Sequence, residues 1–244
     1  MAIAEGLSEE SLFGGRLLCL QPRQGYRFSV DAVLLAHFLA PEPEARILDL
    51  GAGCGIVSLI LSHRWPTVSL VALEVQPRLA GIIRRNVALN GLADRITVSE
   101  GDCRRIATLL PQDSCDFVAA NPPYYQTRNG RHHPETERAK ARHEILGGIA
   151  EMARAAAFAL KSGGKGAFVY PANRSVTMLG VLRENGLEPK RLRMVHPSPG
   201  EEAALVLVEA VKDGGEGVAV LPPFFICKEK GGAYTAEMAA MYAG

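Results

Sequence analysis

Asp49-Leu-Gly-Ala-Gly-Cys-Gly55 is a glycine-rich turn set between a short apolar run, Arg46 to Leu50, and a segment from Ile56 to Leu61 that is apolar nearly all round. A strand that turns tightly into a buried helix is the opening unit of a doubly wound α/β sheet. Glycines at 51, 53 and 55 keep Cβ atoms out of the turn, so backbone can approach a ligand closely at the helix start. The dinucleotide fingerprint G-x-G-x-x-G needs its third glycine at position 56, and that residue is Ile56. The spacing therefore speaks against a dinucleotide. Roughly twenty residues on, Glu74 ends the next apolar run, with Val75 beside it. A carboxylate there reaches both hydroxyls of a ribose, so loop and carboxylate together describe a site for an adenosine-type ligand.

Outward from the loop, strand-like and helix-like periodicities alternate, the pattern of a mainly parallel sheet covered on both faces. Seven strands are expected: Arg46 to Leu50, Val68 to Glu74, Arg95 to Ser99, Asp116 to Ala120, Gly166 to Tyr170, Arg191 to Val195 and Ala204 to Val211. Helical faces fall between them. Val30, Val33, Leu34 and Phe38 follow a cap at Ser29, Leu79, Ile82, Ile83 and Val87 follow Gln76-Pro77, and Ile145 to Leu160 carries a longer stripe. The segment from Ile56 should be the most buried helix. The chain is expected to be a single domain over 1–244, with 1–44 a lead-in and helix, 45–211 the core, and 212–244 a tail packed on it.

Nearly half of the 244 residues are apolar and 22% are charged, which is ordinary globular usage. No apolar run reaches the roughly 18 residues of a membrane span, and Met1 to Glu10 lacks the basic and apolar regions of a signal peptide. Cys19, Cys54, Cys103, Cys115 and Cys227 are scattered and never spaced C-x-x-C, so no disulfide framework or zinc site is expected and a cytoplasmic setting fits. A net charge of +1 leaves room for a local basic patch.

Asn121-Pro-Pro-Tyr124, at the end of the fourth strand, carries the most specific chemistry. An amine conjugated to a ring or carbonyl is a poor nucleophile, because its lone pair is delocalised. N-P-P-Y resembles the motif of methyltransferases that act on such amines, and two in-plane acceptors, the Asn121 side-chain oxygen and the Pro122 carbonyl, could each take one N–H and let the nitrogen pyramidalise. Pro122 and Pro123 fix φ and stiffen the loop, and Tyr124 offers a ring to stack on a flat substrate.

These motifs resemble those of class I methyltransferases, the glycine loop matching that group's first motif and N-P-P-Y the motif of members that methylate conjugated amines. Gln21-Pro-Arg-Gln-Gly-Tyr-Arg-Phe-Ser-Val-Asp31, the aromatic pair Tyr124-Tyr125 and the tail Gly232-Ala-Tyr-Thr-Ala-Glu-Met238 are similar to the bacterial tRNA(Val) adenine-37 N6-methyltransferase family. The resemblance implies S-adenosylmethionine as cofactor, held by Asp49, Gly51, Gly53, Glu74, Val75 and Asn121. It places Arg27, Ser29 and Asp31 over the methionine end, and Asp102 and Cys103 at the adenine. Asn121, Pro122, Pro123 and Tyr124 would be catalytic. The basic stretch Thr127 to Arg142 reads as a long exposed connection in which Arg128, Arg131, Lys140 and Arg142, with Tyr125, would grip RNA phosphates. Lys190, Arg191 and Arg193 either extend that face or form a polar strand edge. His132, His133 and His143 do not have the spacing of a metal site, and no metal is expected.

The expected partner is tRNA. Glutamine-N5 methylation of a protein and guanine-N2 methylation of ribosomal RNA use the same four residues. The glutamine enzymes usually carry a separate helical N-terminal domain, and here only about 45 residues precede the first strand. From another class, a non-catalytic RNA-binding module would lack affinity for the cofactor.

Overall fold

The structure, a computed structural model, describes residues 6–24, 27–123 and 148–243. Its strands are β1 (Leu7–Leu12), β2 (Leu17–Pro22), β3 (Arg46–Leu50), β4 (Ser69–Glu74), β5 (Ile96–Glu100), β6 (Cys115–Ala120), β7 (Leu160–Pro171), β8 (Leu187–His196), β9 (Leu205–Lys212), β10 (Ala219–Val220) and β11 (Phe224–Phe225). The helices are α1 (Val30–Phe38), α2 (Ile56–Arg64), α3 (Pro77–Leu89), α4 (148–159), α5 (Ser175–Glu184) and α6 (Ala236–Ala243).

The seven anticipated strands are β3 to β9, and they stand side by side as β5-β4-β3-β6-β7-β9-β8. β5, β4, β3, β6 and β7 pair in parallel, while β9 lies antiparallel to both β7 and β8. The two-residue strands β10 and β11 extend the sheet by pairing with β8. Each face of the sheet carries its own core. On one side, Ile47 and Ala72 pack with α1, α2 and α3; on the other, Leu48, Val118 and Phe168 pack with α4 and α5. Alternation of side chains along buried parallel strands feeds both. Among the described residues, no helix is long and apolar enough to cross a membrane.

Two features depart from the sequence reading. The lead-in is not without strands, because β1 and β2, outside the seven expected, form an antiparallel hairpin, Leu7 opposite Pro22 and Leu12 opposite Leu17. Only the ends of β1 are buried, so Ser8-Glu-Glu-Ser11 hides the strand from a hydrophobic scan. Nor is α2 alone the most buried helix, since α1 buries Asp31 to Ala36 and Phe38. The hairpin and α6 supply the extra cover, with Phe13, Met238 and Tyr242 packed into the same core.

The hairpin is fastened by α3. Asn90 Oδ1 accepts from Leu18 N at 2.9 Å and its Nδ2 donates to Leu18 O at 2.7 Å. One turn earlier, Asn86 Oδ1 accepts from Leu20 N at 2.7 Å while Nδ2 donates to Leu20 O at 2.9 Å and to Cys54 O at 2.9 Å. Two carboxamides on one helix face thus stand in for a neighbouring strand along the free edge of β2. In the tail, Thr235 Oγ1 donates to Phe225 O and accepts from Met238 N, capping α6, and Tyr234 stacks on Tyr242.

Candidate active site

The strand order reverses between β3 and β6, and a crevice opens beyond the carboxyl ends of these strands. It encloses about 560 Å³. Its walls are Arg27, Ser29 and Asp31 leading into α1, Gly51 and Gly53 after β3, Glu74 to Gln76 and Leu79 at the start of α3, Asn121 to Pro123 after β6, and Met152 on α4.

The glycine loop folds as its composition requires. Gly51, Gly53 and Gly55 all adopt positive φ, at 76°, 61° and 86°. A Cβ at Gly51 would stand 2.7 Å from Met152 Cε, and one at Gly55 3.0 Å from Ile83 Cγ2. Backbone conformation and close packing therefore exclude side chains at these two places. Gly51 N and Ala52 N both donate to Leu73 O at 2.9 Å, which ties the loop to the end of β4.

Glu74 is buried at 5% exposure, yet it forms part of the crevice wall. Its Oε2 accepts from Gly53 N at 2.8 Å and its Oε1 from Gln76 N at 2.9 Å. Each oxygen keeps a second acceptor site, so the carboxylate can still receive two hydroxyl donors from a ligand. Asp49 serves the loop from beneath and is absent from the wall. Its Oδ2 accepts from Ser58 N at 3.0 Å and Ser58 Oγ at 2.7 Å, and burial pushes its pKa up to about 6 against these hydrogen bonds.

Opposite the loop, Ser29 occupies the position before α1 in extended conformation, but its side chain does not cap the helix. Its hydroxyl bonds Asp31 instead, opposing the upward pKa shift that burial imposes on that carboxyl. Arg27 is steered by the hairpin, donating through Nη2 to Glu10 Oε1 at 2.8 Å and through Nη1 to Ser8 Oγ at 2.9 Å. Gln21 Oε1 accepts from Phe28 N at 3.1 Å and fixes the same segment.

Asn121 is half-buried, Pro122 buried and Pro123 exposed, and all three face the crevice. A Cβ at Gly148 would touch Pro123 Cγ at 3.5 Å, so the start of α4 lies close against the proline pair.

The crevice thus gathers Arg27, Ser29, Asp31, Gly51, Gly53, Glu74, Val75, Asn121, Pro122 and Pro123. Asp102 and Cys103 stand outside its wall. Asp102 caps the short 3-10 turn Cys103–Thr108 by accepting from Arg104 N at 2.9 Å, and the hydrogen bond from the Arg104 side chain holds its carboxyl below the usual range. Tyr124, Tyr125, Arg128, Arg131, Lys140 and Arg142 lie outside the described residues, as does the whole connection at 127–142. Lys190, Arg191 and Arg193 are engaged within the chain, with Gly215 O, Glu209 and Glu237 in turn. Met152, Gln76 and Leu79 join the wall without a motif in the sequence to mark them. Met152 and Leu79 sit on apolar helical stripes that read as core.

A family model described as "Methyltransferase small domain" matches residues 28–185. A protein of Porphyromonas gingivalis named tRNA1(Val) (adenine(37)-N6)-methyltransferase is 28% identical over 189 residues, covering 75% of this chain and 73% of that one. One of the same name from Shewanella loihica is 29% identical over 224 residues, covering 89% and 90%. Among solved structures, a predicted O-methyltransferase of Agrobacterium tumefaciens superposes with a TM-score of 0.72 at 24% identity, covering 87% of this chain and 95% of that one.

Proposed function

The chain belongs to the methyltransferase small-domain family, and from that premise we propose that it methylates adenine N6 in tRNA, drawing the methyl group from S-adenosylmethionine. The observation that carries the reading is the single crevice wall shared by Glu74, the glycine loop and Asn121-Pro122-Pro123. A buried carboxylate with free acceptor capacity beside Cβ-less backbone fits a ribose, and the opposite wall offers the carboxyl of Asp31 to an ammonium group. The relatives named for tRNA adenine methylation direct the choice of acceptor.

S-adenosylmethionine, when bound, supplies a methyl group activated on sulfonium. Arg27, Ser29, Asp31, Gly51, Gly53, Glu74 and Val75 hold and orient it. Asn121 Oδ1 and the Pro122 carbonyl accept the two N–H groups of the incoming amine and free its lone pair from the ring. The proline pair holds these acceptors rigid, and orientation of this kind supplies on the order of 7 to 11 kcal/mol. No strong base is needed, because the nitrogen becomes acidic only after methylation and then loses its proton to water. Tyr124 stacking on the base, a grip on RNA by 127–142, adenine contacts from Asp102 and Cys103, a one-domain organisation and a cytoplasmic setting belong to the same proposal.

The deciding experiment is transfer of label from S-adenosylmethionine to total tRNA, ribosomal RNA and a release-factor preparation, followed by nucleoside analysis. N6-methyladenosine in tRNA is the expected product. Label appearing as N2-methylguanosine or in protein would overturn the acceptor, and no transfer to any of the three would overturn the reaction.

A further inference from the structure

A second hollow, of about 340 Å³, lies on α3 beside the crevice, bounded by Pro77, Arg78, Gly81, Ile82 and Arg85 and closed by Leu7 of β1. Gln76 and Leu79 line the crevice, so the two hollows share the first turn of α3. Arg78, Gly81, Ile82 and Arg85 follow the i, i+3, i+4, i+7 spacing of one helix face. The α-carbons of the two arginines are about 10 Å apart along that face. Both arginines are exposed, and among the described residues neither guanidinium has an ion pair. Arg84, on a different face of the helix, reaches Glu100 at 3.5 Å. The floor between the arginines is open, since a Cβ at Gly81 would meet nothing within 4 Å. A glycine inside a helix costs about 1 kcal/mol relative to alanine, and no atom of the described residues fills the space that this one leaves.

The geometry points to a groove that takes the sugar-phosphate backbone of the substrate RNA, with Arg78 and Arg85 each on a phosphate. A single small anion is held by donors that converge on one point. Two guanidinium groups spaced along an open groove match successive charges of a polyanion, and the positive end of α3 adds to the field beside Arg78. Because the groove shares a helical turn with the crevice, RNA lying in it runs along the crevice's α3 wall. The inference rests on the tRNA reading above. It also fits a chain of net charge +1: two arginines without an ion pair among the described residues give the groove a local positive charge.

The test uses the full-length protein and the double variant Arg78→Ala/Arg85→Ala, with the single variants Arg78→Ala and Arg84→Ala as a one-charge comparison on the same helix. Binding of unmodified tRNA is followed by fluorescence anisotropy at several salt concentrations, and S-adenosylmethionine affinity is measured by calorimetry. The double variant should bind tRNA about ten-fold more weakly at low salt, and the slope of log K against log salt should shrink by roughly 1.4 to 1.8. Arg84→Ala should follow the wild type, and all four proteins should bind the cofactor equally. Wild-type affinity and slope in the double variant would overturn the groove alone, as would a loss in Arg84→Ala equal to that in Arg78→Ala. Wild-type protein that binds no tRNA at any salt would bring down both the groove and the tRNA reading.

Discussion

Asp49 sits fully enclosed beneath the glycine loop with its proton held up to about pH 6, against 3.8 for the free side chain. The folded chain binds this proton more tightly than the unfolded chain does, so the contribution of Asp49 is greatest below about pH 4 and is lost as pH rises through 6. The difference corresponds to about 3 kcal/mol. Asp49→Asn removes the titration and keeps an acceptor for Ser58. Its stability relative to wild type should therefore climb by up to that amount between pH 4 and pH 7 in urea melts, and a pH-independent difference would refute the assignment. Asn121 gives the complementary case at the crevice. With Asn121 as the proposed acceptor for the substrate amine, Asn121→Ala should lower turnover by about 100-fold or more while cofactor affinity stays within a few-fold. Full activity in single-turnover assays would sink the amine-positioning role. Both residues were legible in sequence, because a carboxylate before a glycine turn and an Asn before two prolines are recognisable from spacing alone. What spacing could not tell is which side of the loop each would serve: Asp49 faces inward to Ser58 and Glu74 outward to the crevice.

Elements with strong periodicity, β3 to β9 and α2 and α3, could be read from the chain because one face or both must be apolar. The hairpin could not. Its second strand is docked on α3 by two asparagines more than 60 residues away, and no local pattern encodes such a partnership. Those asparagines make the hairpin testable as an element. Asn86 is fully buried and satisfies three backbone groups, whereas Asn90 is partly exposed. Asn86→Leu leaves Leu20 N and Cys54 O without the partner that Asn86 supplies, at about 1 to 3 kcal/mol each before relaxation, and Leu20 O with only the weak Cys19 thiol donor. Chemical denaturation should show a loss of about 3 kcal/mol or more for Asn86→Leu and a smaller one for Asn90→Leu. The same variant frees Cys54 in the glycine loop and loosens the strand that feeds Arg27 toward the crevice, so cofactor binding should weaken with stability. An Asn86→Leu protein as stable as wild type would mean that the hairpin is held by apolar packing instead.

At the scale of the whole molecule, the crevice is assembled from parts distant in sequence: the hairpin-fed entry to α1, the turns after β3 and β4, the end of β6, and α4 from the opposite core. A ligand that touches all of them binds only the folded chain, and its binding energy appears as stability of the whole. S-adenosylmethionine at 100 times its Kd should add about 2.7 kcal/mol. For a chain of this size that raises Tm by roughly 5 to 10 °C. Glu74→Gln keeps the side-chain volume but can accept from only one of Gly53 N and Gln76 N, so it should melt several degrees below wild type and show little of that rise above its own ligand-free Tm. The two ligands should also separate by salt. The cofactor buries a compact group in the crevice, and its stabilisation should persist at 0.5 M salt. Stabilisation by tRNA depends on counterion release and should vanish there. Differential scanning calorimetry with each ligand at low and high salt distinguishes the two. A cofactor effect that disappears with the RNA effect would place both ligands on the charged surface and remove the crevice as the site of either.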